Sequence, residues 1–299
     1  MAIACAKNVR LSSPVTPPRD QGWAEMTFNM NQAWEEAIRT LKANRELVLI
    51  LAGLFFFVPA LALGILQPET LTGPAMTGGT DAMEEVTAYY NRNAVWLFLV
   101  QLIQSVGMLS ILALFLRRRS TVGEAIATGA KALLPLIVAS VFLVLAFSLL
   151  GGLVIGLAGA VSPMLAVAVG ILVVLAALLV LARVITLMPL LVDEKRLNPF
   201  AALVDSWRLT AGRGWRILGF LLLILVAITV VSLLVGGLIG LFTALIGSPA
   251  AANFIAAALN ALIGTIFTCL LLAVIMAIYR QLNARTSAAG VPRTHPDAD

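Results

Sequence analysis

One charged side chain, Arg183, interrupts the long apolar runs of this chain. A charge inside a membrane span is costly and marks a functional site by default. The planar guanidinium offers a fork of donors that suits a lipid phosphate or an anionic substrate. A structural role is the competing reading. Arg183 would then bond backbone carbonyls freed near a kink at Pro189, or pair with Asp193, Glu194 or Asp205. Asp193 lies ten residues on, about 15 Å along a helix, and snorkelling recovers part of that distance.

Few other residues offer chemistry. Gln101, Gln104 and Ser105 share a face of one apolar run, and Asn260, Thr265 and Thr268 lie in another. Such groups ordinarily bond between helices, at about 0.6 kcal/mol on average. A polar conduit would need them to face one another. The sole histidine, His295, stands beside Pro296 near the C-terminus. No H-E-x-x-H zinc motif, G-x-S-x-G elbow, phosphate-binding glycine loop or intramembrane carboxylate pair is present. Cys5 and Cys269 fall in unlike environments and imply neither a disulfide nor a metal site. No cofactor and no metal is expected, and the chain reads as non-enzymatic.

The elements that hold these residues follow from composition. Of 299 residues, 61% are hydrophobic and 12% charged, about half the charged share of a soluble domain. This excludes a soluble globular enzyme, a disordered chain and a disulfide scaffold. A span needs about 20 mostly apolar residues, and six segments qualify: about 47–66, 94–116, 133–159, 165–192, 217–247 and 254–279. Lipid supplies no partner for free backbone groups, so each is a helix. The fold class is all-α: a polytopic membrane protein of six transmembrane helices in three hairpins, within a membrane domain over 27–285. Disordered cytoplasmic tails are expected at 1–26 and 286–299.

Lysine and arginine set the orientation. They crowd the N-terminal segment (Lys7, Arg10, Arg19, Arg39, Lys42, Arg45), the loops after spans 2 and 4, and the C-terminal tail. Arg92 alone lies on the other side. Both termini are therefore expected in the cytoplasm of a bacterial cell, with the six helices in its inner membrane. The net charge of +5 is first a topology signal and then an attraction to anionic lipid. Membrane lipids and other membrane proteins are the expected partners, and nothing suggests nucleic acid.

Each hairpin is expected to follow a cytoplasmic amphipathic helix. Before span 1, Trp34, Ile38 and Leu41 recur at helical spacing, and Val122 to Ala130 precedes span 3 more weakly. Before span 5, Asn198 caps a helix with Pro199 in its first turn. Phe200, Leu203, Val204 and Trp207 line one face there, with Arg208 elsewhere. Such helices lie in the headgroup plane or dock on the bundle. In the long loop after span 1, Asp81 and Glu84 predict a short helix ending near Tyr89 and Tyr90. A shift of 84 residues lays span 3 on span 5 as a weak internal repeat, including Ser162-Pro163 against Ser248-Pro249. The shared pairs Gly152 with Gly156 and Gly236 with Gly240 are expected to pack helices closely.

The stretch ARVITLMPLLVDEKRLNPFAALVDSWRLTAGRGWR, Ala182 to Arg216, ends one span, opens a helix with Asn-Pro, and leads through Ser-Trp-Arg-Leu-Thr into the next. It resembles the membrane domain associated with bacterial glycerophosphoryl diester phosphodiesterases, and stand-alone six-span relatives of unknown function. Phe28 through Trp34 and Leu41 to Asn44 is similar as well. In fused members, the resemblance implies, a separate soluble domain with histidines and metal-binding carboxylates does the chemistry. This chain has no matching histidine, so that label is not carried over. The expected function is a membrane interaction or accessory module in lipid or envelope homeostasis. The alternative is a transporter or channel for a small or lipid-like anionic solute.

Overall fold

A computed structural model of the chain describes residues 29–66, 80–117, 121–193, 198–210 and 214–288. Those residues form helices α1 (Met30–Ala43), α2 (Arg45–Leu66), α3 (Thr80–Leu116), α4 (Val122–Val161), α5 (Pro163–Val184), α6 (Leu187–Asp193), α7 (Pro199–Leu209), α8 (Gly214–Ala244) and α9 (Pro249–Ala288). Six membrane-length apolar stretches result: α2, most of α3, α4, α5 with α6, α8, and α9 to Ala284. The protein is thus an all-α, multi-pass membrane protein. The first and last described helices, α1 and the end of α9, meet at one end of the bundle, the basic end, and the two Ser-Pro hairpins turn at the other.

The spans form a ring in chain order, α2 beside α3, α3 beside α4, α4 beside α5, α5 beside α8, α8 beside α9, and α9 back against α2. Both Ser-Pro turns match the repeat. Ser162 accepts from the Leu165 amide at 3.1 Å, Ser248 accepts from Ala251 at 3.5 Å, and a proline opens each following helix. Packing is uneven along the bundle. From Leu272 to Tyr279 every residue of α9 is buried, all the way round the helix. A helix apolar and buried on all sides is a core element, and here it plugs the basic end. Around it stand Leu51 of α2, Leu109 and Leu112 of α3, and Leu190 and Leu191 of α6. Towards the hairpins, α4, α5 and α8 instead turn large apolar side chains outward, Leu149, Leu172 and Leu233 among them, as lipid contact requires.

The structure corrects several local expectations. No separate helix precedes span 3. Val122 to Ala130 forms the first turns of the 40-residue α4, opened by a capping box between Thr121 and Glu124. The helix beginning at Thr80 does not stop near Tyr90 but runs 37 residues to Leu116. Asn93, which donates to the Tyr89 carbonyl at 2.9 Å, sits inside it without breaking it. The expected tails fall mainly outside the described residues, although α9 continues to Ala288.

The four glycines named from the sequence do not make close helix contacts within the chain. A Cβ at Gly152, Gly156, Gly236 or Gly240 would meet nothing within 4 Å. The close approach is made at Gly107, where a Cβ would stand 2.9 Å from Cγ of Phe55 and closer still to its Cβ. A second is made at Gly129, where a Cβ would stand 2.5 Å from Oγ of Ser110. Phe55 belongs to a π-helical turn, Gly53–Phe57, that interrupts α2. The glycine repeat therefore located the wrong close contacts, because a G-x-x-x-G pattern does not say what faces it.

Candidate functional site at the basic end

Pro189 has no N–H to give the Ile185 carbonyl, and its ring crowds that carbonyl. Span 4 accordingly stops at Val184, turns through Ile185 and Thr186, and resumes as α6. Helix α7 closes over this break. Asn198 caps it as expected, accepting from the Phe200 and Ala201 amides at 3.1 and 3.3 Å, with Pro199 in the first turn. Its docked face is chiefly the small side: Ala202, Ser206 and Thr210, one turn apart, are all buried, and of the apolar stripe Leu203 alone packs half-buried against the core. Phe200, Val204 and Trp207 are left exposed, with Phe200 meeting Phe142 of α4 edge to face. Helix α1 follows the same rule. Ala33, Ala37 and Thr40 are buried and Trp34 is exposed.

The Ser206 and Thr210 hydroxyls reach into the break. Ser206 donates to the Arg183 carbonyl at 2.8 Å, Thr210 reaches the same oxygen at 3.3 Å, and the Thr186 and Ser206 hydroxyls lie 2.8 Å apart. Since the Ser206 proton is directed to Arg183, Thr186 donates to Ser206. These contacts account for Ser206 and Thr210 in the Ser-Trp-Arg-Leu-Thr segment. Trp207 serves the Arg183 side chain instead, whose guanidinium lies over the indole ring, 4.5 Å from the centroid. A stacked guanidinium keeps its in-plane N–H donors available. Gly214, at the start of α8, leaves room for this side chain, because a Cβ there would stand 3.3 Å from Nε of Arg183. Arg183 is therefore level with the beginning of span 5 and with α7, at the basic end of the bundle.

The Arg183 carbonyl at the break is thus served by hydroxyls of α7. Of the three expected acids, Asp193 is engaged elsewhere. Asp193 accepts a hydrogen bond from the Tyr279 hydroxyl at 2.5 Å, joining the end of α6 to α9. Glu194 lies outside the described residues, and Asp205 sits on α7 beside Ser206. Among the described residues Arg183 makes no ion pair. Arg208 is exposed on the same helix as Asp205.

Sequence reading missed a second junction. Arg280, expected only to mark topology, pairs with Glu36 of α1 at 3.3 Å, donates to Thr40 at 3.3 Å, and donates to the Phe115 carbonyl at the end of α3. Gln281 beside it donates to the Asn29 carbonyl at 3.3 Å. Its position at the end of an apolar run was the sole signal in the sequence.

The polar groups of α3 and α9 divide. Ser105 donates to the Gln101 carbonyl, and Thr265 and Thr268 donate to carbonyls of their own helix. Gln104 and Asn260 instead line one cavity, near the hairpin end and away from Arg183. Gly236 and Gly240 line it too. Cys269 is buried in α9, whereas Cys5 and His295 lie outside the described residues.

No curated protein and no solved structure matches the chain. Residues 160–292 match the family model of the membrane domain of glycerophosphoryl diester phosphodiesterase. That stretch runs from the end of α4 through spans 4, 5 and 6, and so contains the kink, α7, Arg183 and the central helix α9. The matched model is the membrane domain and not the catalytic one. Over spans 4 to 6 the chain is similar to that membrane domain.

Proposed function

We propose that this integral membrane protein is a non-catalytic accessory module of lipid or envelope homeostasis that holds anionic lipid headgroups at its basic end. The reading rests above all on Arg183, whose charged face is covered by Trp207 while its donor edge has no ion pair among the described residues. A phosphate is the group such an edge fits best. Arg208 and Arg216 add positive charge nearby in sequence, and the exposed Trp34, Trp207 and Trp215 suit a headgroup layer. The basic end faces the cytoplasm of a bacterial cell in this reading. A cysteine placed at Arg117 should then react with an impermeant maleimide in inside-out vesicles and not in intact cells.

Transport of an anionic solute finds less support. The cavity near the hairpin end has no charged side chain in its lining and does not reach Arg183. The decisive experiment is native mass spectrometry of detergent-purified protein with phosphatidylglycerol. Arg183→Leu should lower lipid retention severalfold, and Arg183→Lys, which keeps charge but loses the stacked fork, should fall between. Equal retention by wild type and Arg183→Leu would refute the phosphate site.

A further inference from the structure

The cavity near the hairpin end has a chemistry of its own. It measures about 850 Å³ and is bounded by α2, α3, α8 and α9. Its lining follows α9 from Pro249 to Ala261, about 18 Å of helix at 1.5 Å per residue. It therefore extends from the bundle end to the middle of a hydrocarbon layer roughly 30 Å thick. Small residues keep it open, since a Cβ at Gly236 or Gly240 would meet nothing within 4 Å. Three uncharged amides line it, Gln104 from α3 and Asn253 and Asn260 from α9. Among the described residues the Gln104 side chain has no hydrogen-bond partner. Asn260 uses one N–H on the Ala256 carbonyl at 2.9 Å, which leaves its second N–H and its oxygen. At hydrocarbon depth, polar groups without partners cost several kcal/mol each.

The occupant must therefore hydrogen-bond without carrying charge. A phosphate is unsuited, because no Lys, Arg or His lines the cavity to neutralise it. A free polyol would satisfy the amides and leave the alanine and glycine walls unfilled. We propose that the cavity binds an uncharged acylglycerol drawn from the membrane. Its hydroxyl and ester groups meet Gln104 and Asn260, and its acyl chain lies along Gly236, Gly240 and Ala257. This site is independent of the Arg183 phosphate contact, and either can fail alone.

The test is native mass spectrometry of the full chain in detergent, titrated with dioctanoylglycerol, with dioctanoylphosphatidic acid or with glycerol. Arg183→Leu, which lacks the phosphate contact at the basic end, should retain dioctanoylglycerol as wild type does and should prefer it to the phosphatidic acid of the same chains. Gly240→Leu, which fills the space, and Gln104→Leu, which removes an amide, should each weaken apparent affinity on the order of tenfold. Gly152→Leu, on α4 outside the cavity, should bind as wild type does. Thermal unfolding identifies the variants that keep the fold, and either of the two cavity variants suffices. Four results overturn the proposal: no diglyceride retained by folded wild type, equal or tighter phosphatidic acid in folded Arg183→Leu, displacement by free glycerol, or a folded cavity variant that binds undiminished.

Discussion

Replacing Thr186 by Val should destabilise the wild-type protein and stabilise the Ser206→Ala variant, a reversal of sign that follows from one buried hydroxyl pair. Both residues are fully buried and their oxygens are 2.8 Å apart. In wild type, Thr186→Val removes a donor from Ser206, whose own proton still reaches the Arg183 carbonyl. The loss is one hydrogen bond, about 1 kcal/mol. Ser206→Ala does more. It strands the Thr186 hydroxyl without a partner and leaves the Arg183 carbonyl with Thr210 at 3.3 Å, a cost of about 2–3 kcal/mol. Once Ser206 is gone, the stranded hydroxyl is a penalty, and the isosteric valine removes it. The double variant should then be about 1 kcal/mol more stable than Ser206→Ala, giving a coupling near 2 kcal/mol. Interhelical bonds in lipid average about 0.6 kcal/mol, which sets the lower bound. Unfolding in mixed micelles with rising SDS, followed by tryptophan fluorescence, measures all four corners of the cycle. Additivity within about 0.5 kcal/mol would refute the claim that these hydroxyls bind α7 to the broken span.

Two further perturbations test the packing. Gly107→Ala should cost about 1–3 kcal/mol or more, since its Cβ would collide with the Phe55 Cβ and no rotamer change relieves that contact. Gly152→Ala, facing open space, should leave the same unfolding curve unshifted or slightly stabilised, and equal costs at both sites would contradict the assigned helix contacts. Arg280→Met should release α1: loss of the Glu36, Thr40 and Phe115 contacts, discounted for a partly exposed ion pair, comes to about 2–3 kcal/mol. Hydrogen exchange would show it as faster exchange across Met30–Ala43, whereas unchanged protection there would mean that the helix is held by its alanine face alone.

Hydropathy made the six spans legible because each must satisfy its own backbone in lipid, a demand local to the segment. Asn198 and Pro199 were legible for the same reason, since a cap needs only its neighbours. What a helix touches is not local. The apolar stripe of α7 was plain in the sequence, yet in lipid an apolar stripe has no need to turn inward, and Ala202, Ser206 and Thr210 fit the bundle better because they are small. The same reasoning defeated the glycine pairs. A gap left by Gly240 becomes a contact or a cavity according to what stands opposite, and Gln104 and Asn260 lie 156 positions apart in the chain. Arg183 was conspicuous by type, but its stacking on Trp207 depends on a break set by Pro189 and on a helix that returns 24 residues later. The family match begins only at residue 160, so the similarity to that membrane domain rests on spans 4 to 6.

The central position of α9 constrains the order in which the bundle can be assembled. Five spans leave the ribosome and enter the membrane before it, and they must wait there without the segment from Leu272 to Leu282 that their basic ends enclose. Helix α1, synthesised before the six spans, has its ion-pair partner 244 residues downstream. Early spans can insert one by one, each satisfied in its own backbone, but the closed end forms only when the sixth arrives. A chain stopped in the loop before Pro249 would carry five membrane-competent helices and no core, which makes it a substrate for membrane quality control rather than a partly working protein.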